Sequence, residues 1–70
     1  MKTHAQIEAL INELDREMEV DPSKVEHHWI AIVTLCLAKD EIHKPQVIKE
    51  MISKSKWVTK EALLWVLSDI

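Results

Sequence analysis

No glycine occurs anywhere in this chain, and only two prolines do. That narrows the fold more than any residue that is present. Tight β-hairpins depend on glycine at the positions of their turns where φ is positive, so an all-β domain is disfavoured. Glycine-rich phosphate loops and dinucleotide fingerprints are excluded outright. Seventy residues make one domain, residues 1–70, near the lower limit for a self-sufficient core. The proportions, 47% hydrophobic and 30% charged, are those of a globular chain. With one cysteine no internal disulfide can supplement the core, which leaves self-association as the expected supplement.

Hydrophobic periodicity predicts an all-α compact bundle of three to four short helices. Ile7, Leu10, Ile11, Leu14 and Met18 recur at the spacing of one helical face. Thr3 with Gln6 matches a capping box in front of them. Asp21-Pro22 ends this helix and starts the next, with Asp21 as N-cap and Ser23 with Glu26 as a competing box. The second helix is expected to run to about Lys39. Its run WIAIVTLCLA is apolar nearly all round, which predicts a buried central helix. Residues 39–44 read as a loop. Pro45 suits the first position of a third helix whose inner face is Val47, Ile48, Met51 and Ile52. SKSKW reads as a turn, after which Thr59 is expected to cap a fourth helix from about Lys60 to the C-terminus. Short connections favour antiparallel neighbours.

VEHHWIAIVTLCLAKDEIH is the stretch with most chemistry in it, and it does not assemble a metal site. His27 and His28 are adjacent and point roughly 100° apart on a helix. His28 and Cys36 share a face but lie about 12 Å apart along the axis. Asp40 and His43 have ligand spacing only if their segment is helical, and His4 is remote. No HExxH or CxxC pattern occurs. The expectation is therefore that Cys36 is a small core residue and that no metal or cofactor is bound. Catalysis is not expected either. A thiol in apolar company is inert, the serines occupy cap or surface positions, and no glycine provides a nucleophile elbow.

Charge is unevenly distributed over a net −3: residues 1–43 hold four basic and nine acidic side chains, residues 44–70 five and three. The basic second half has the outline of a helix-turn-helix over about a third of the chain. Thr59, Lys60 and Glu61 would open its second helix, and Lys49, Lys54, Lys56 and Lys60 would contact phosphates. The departures are several. That second helix offers ALLWVL rather than base-reading side chains, Trp57 stands where many such motifs place glycine, and Lys56 stands where an apolar residue packs. Nucleic acid is accordingly the second reading.

The first reading is a small regulatory or inhibitory protein that binds another protein through its C-terminal helix. Leu63, Val66, Leu67 and Ile70 suffice for an inner stripe, with Ala62 beside it. Leu64 and Trp65 then fall toward Glu61 and Ser68, and Trp57 stands at a turn. Trp57, Glu61, Leu64 and Trp65 are the expected contact residues, since a tryptophan amid polar neighbours is a common interface residue. A homodimer is the expected assembly. The longest apolar run, ten residues, is about half of what a bilayer crossing requires. Together with the single cysteine and the charged N-terminus this suggests the cytoplasm.

Overall fold

The computed structural model describes residues 1–68 and is an all-α bundle of four short helices, with no strand among the described residues. The elements are α1 (His4–Val20), a 3-10 turn (Pro22–Lys24), α2 (Val25–Lys39), α3 (Pro45–Ser53) and α4 (Trp57–Leu67). Ile70, expected on the inner stripe of the last helix, lies outside the described residues.

Local chemistry places most of the boundaries. The capping box of α1 is reciprocal: Gln6 N–H donates to Thr3 Oγ1 at 3.2 Å, and Thr3 N–H donates to Gln6 Oε1 at 2.8 Å. Both satisfy donors that a helix start leaves without partners. At the corner before α2, Asp21 caps the 3-10 turn opened by Pro22, not α2 itself, which starts at Val25 behind Lys24 with no side-chain cap. The Asp21 Oδ1 accepts from Ser23 Oγ at 2.6 Å and from Ser23 N–H at 3.1 Å. The hydroxyl bond first, then the backbone bond, hold the Asp21 carboxyl below its usual range. The competing Ser23–Glu26 box does not form, because the Ser23 hydroxyl is committed to Asp21. Pro45 stands in the first turn of α3 as its fixed φ allows.

Without glycine, the α3–α4 turn is closed by other means. The Ser53 hydroxyl donates to the Glu50 carbonyl and the Ser55 hydroxyl to the Met51 carbonyl, which meets the demand of carbonyls at a helix end. The chain then reverses at Trp57, the only residue with positive φ among the described residues, at 58°. A bulky side chain in this left-handed region costs about 1–2 kcal/mol. α4 therefore starts at Trp57, before the expected Thr59 cap. Thr59 lies inside the first turn and faces α2, where its Oγ1 is 3.5 Å from the Thr34 hydroxyl.

The core is Ile7 from α1, Leu35 and Ala38 from α2, Ile48 from α3, and Leu63 and Val66 from α4, all fully buried. Leu10, Ile11, Leu14, Met51, Ile52, Ala62 and Leu67 close around it. α2 packs on α1 and α4, while α3 packs on α4. This arrangement corrects the expectation of an α2 buried all round. Ile32, Thr34, Leu35 and Ala38 are its buried residues, whereas Trp29 is 59% exposed, Val33 42% and Leu37 61%. Cys36, expected in the core, is exposed as well. Neighbours on two sides cover about half of a helix, however apolar the rest is.

Two lysines link parts of the fold that are distant in sequence. Lys39 Nζ lies 2.6 Å from Glu8 Oε1 and joins α2 to α1. That hydrogen bond, reinforced by the opposite charge, holds Glu8 below the usual carboxylate range and raises Lys39. Lys2 is buried against the end of α4: its N–H donates to the Val66 carbonyl at 2.8 Å and its Nζ to the Ser68 carbonyl at 3.0 Å. A cation there also complements the negative end of the helix dipole.

Candidate functional site

The four C-terminal contact residues separate into a trio and an outlier. Trp57, Glu61 and Leu64 are all exposed, Trp57 to 55% and Leu64 to 49%. Their spacing along α4 puts them on one side of the helix. Trp65 turns away from them. It is half-buried against the core, and Lys2 Nζ lies 4.8 Å from its ring centroid, a cation–π contact. Its surroundings are therefore structural in large part, and the residue that covers it comes from the other end of the chain.

Trp57 is held differently. Its ring meets His27 of α2 edge-on, with centroids 4.6 Å apart and planes at 69°. Edge-to-face pairs of this kind contribute about 0.5–1.5 kcal/mol. The ring thus has a fixed neighbour while the residue remains exposed. Positive φ, a ring contact and exposure coincide in one residue, and little of what they cost is recovered by burial.

A second apolar surface escaped the sequence reading. Val25, Trp29, Val33 and Leu37 recur every fourth residue on the outer side of α2, and all are exposed. Cys36 is exposed within the same helix. The signal was available in principle: a helix in so short a bundle has too few neighbours to be enclosed, so a run apolar all round must leave apolar side chains outside.

The lysines of the nucleic-acid reading, Lys49, Lys54, Lys56 and Lys60, are all exposed. Beside Lys60, however, the outward side of α4 presents Trp57, Glu61 and Leu64, not the arginine, asparagine or glutamine that reads base edges. The histidines do not converge on a ligand. His28 Nε2 is buried and 3.6 Å from Glu17 Oε1, beyond hydrogen-bond length, and His27 is taken by Trp57. Among the described residues no three of His, Cys, Asp and Glu gather as a metal site would need. A shallow, open depression at the α1–α2 corner is lined by Arg16, Glu17, Val20, Asp21 and Lys24, and it presents no pairing of nucleophile and base. No helix among the described residues is long and apolar enough to cross a membrane. Comparison with protein-family models, with curated proteins and with solved structures finds no match.

Proposed function

We propose that this protein is a small, non-catalytic regulatory or inhibitory protein that acts by binding another protein. The observation that carries this reading is Trp57, a tryptophan held in left-handed backbone geometry that is 55% exposed as a residue. Backbone strain of this kind clusters at functional sites, and tryptophan is enriched among the residues that dominate protein contacts. Glu61 and Leu64 extend the contact along α4, and Trp65 supports it from the core side. The apolar outer side of α2 adds area, since contiguous exposed apolar surface on a small domain marks an interaction site.

The test is retention of a partner from extracts of the protein's own cells. Wild-type protein should hold a protein that Trp57→Ala, equally folded by circular dichroism, releases. Equal retention by both contradicts the reading. The exposure of Lys49, Lys54, Lys56 and Lys60 favours a second reading, a helix-turn-helix-like DNA-binding regulator. That reading requires co-sedimentation with duplex DNA that weakens with salt and with neutralisation of these lysines.

A further inference from the structure

The outer side of α2 has a charge pattern as well as an apolar one. Glu26 and Asp40 are exposed at its two ends, about 21 Å apart along the axis. Between them the exposed side chains include no lysine or arginine. The lysines nearest in sequence face carboxylates of this chain: Lys24 with Glu17 at 3.9 Å, Lys39 with Glu8 at 2.6 Å and Lys44 with Glu41 at 3.9 Å. Among the described residues neither Glu26 nor Asp40 lies within ion-pair distance of a lysine or arginine, and Asp40 acts on the adjacent Lys39 only as a lesser contribution beside Glu8. The surface is therefore a stripe of Val25, Trp29, Val33 and Leu37, about 18 Å long, with an exposed acid at each end.

From this pattern we infer that α2 is the docking site for a single amphipathic helix of a partner protein, with an apolar face and a basic residue near each end. Charge decides against a second copy of this chain as the occupant. Antiparallel pairing of two α2 helices about a twofold axis brings Glu26 beside Asp40 of the other copy, and parallel pairing brings Glu26 beside Glu26. Like charges meet in both. Area decides the same way. The stripe exposes roughly 400 Å², about half of the roughly 800 Å² that each partner of a stable dimer buries. It matches the reach of one helix, which buries its own apolar side in the contact. Trp57, held by His27, stands at the Glu26 end.

The inference rests on the protein-binding reading and names the partner's chemistry. Two synthetic amphipathic helices with the same leucine face test it, one ending in lysines about 14 residues apart, the other carrying glutamates there. Calorimetry with the full chain should show the lysine peptide binding about tenfold more tightly. Trp29→Ala with Leu37→Ala should abolish binding, and Glu26→Lys with Asp40→Lys should reverse the preference. These substitutions are at exposed positions, and circular dichroism checks the fold. Equal binding of both peptides overturns the inference, as does a salt-insensitive dimer in sedimentation velocity that Leu37→Glu dissociates. A natural partner that Trp57→Ala releases but Glu26→Lys with Asp40→Lys retains also overturns it, and leaves the protein-binding reading standing.

Discussion

The two sides of α2 are built from the same kinds of residue and meet different surroundings. Leu35 and Leu37 are near neighbours in sequence and identical in chemistry, yet Leu35 is fully buried and Leu37 is 61% exposed. Ile32 and Ala38 lie inward, while Trp29 and Val33 lie outward. Hydropathy does not separate the two sets. What separates them is the number of helices available to cover α2, and α1 and α4 cover only the side they touch. An apolar residue on a small bundle is thus held in the core by its neighbours, or left outside by their absence.

The leucine pair gives the sharpest break of this comparison. Leu35→Ala should destabilise the domain by about 3 kcal/mol, through lost transfer energy and the cavity left behind. Leu37→Ala should stay within about 0.5 kcal/mol of wild type. Urea denaturation of both variants reads the difference, and similar losses would mean that the outer side is packed after all.

Next in size is the cost of the left-handed residue. Trp57→Ala and Trp57→Gly both lose the His27 ring contact, but only glycine relieves the positive φ. The glycine variant should be the more stable of the two by about 1 kcal/mol. Equal stabilities would mean that the backbone at residue 57 is unstrained. Of similar size is Thr3→Ala, which removes one half of the capping box and should cost about 1 kcal/mol in the same measurement.

The smallest effect is on pH dependence. Glu8 is held below its usual range by Lys39, so its contribution is fully present above the unfolded carboxylate value and is lost as pH falls through the lower folded one. Lys39 is raised, so its share is present below the unfolded lysine value and fades as pH climbs through the higher folded one. Both groups are solvent-accessible and the loss is modest. Glu8→Gln should flatten the acid limb of the stability profile, and an unchanged limb would show that the bridge contributes nothing in solution.

Short-range chemistry was the legible part of this molecule. The α1 capping box and the Pro45 start follow from residues close in sequence, which displays them directly, whereas Asp21 caps the 3-10 turn and α2 starts three residues later than Pro22 implied. The helical class followed from periodicity and the absence of glycine. Three features were not legible, each for a physical reason. The open side of α2 depends on how many helices surround it, which a periodicity of one segment does not encode. The half-burial of Trp65 comes from packing on the core and from its contact with Lys2, a residue from the opposite end of the chain. The conformation of Trp57 goes against its own backbone preference, so propensity misplaced the start of α4. Of the expected contact residues, Trp57, Glu61 and Leu64 do share one exposed side, and Trp65 does not join them.

Thiol labelling of Cys36 tests the central claim, that the apolar outer side of α2 is open surface, most directly. The native protein at low concentration is mixed with iodoacetamide, and the rate is compared with that of the urea-unfolded chain. An open α2 predicts labelling within a few-fold of the unfolded rate, independent of protein concentration and slowed by the lysine-ended peptide. Labelling only as fast as the whole domain unfolds would place Cys36 inside a core and contradict the account.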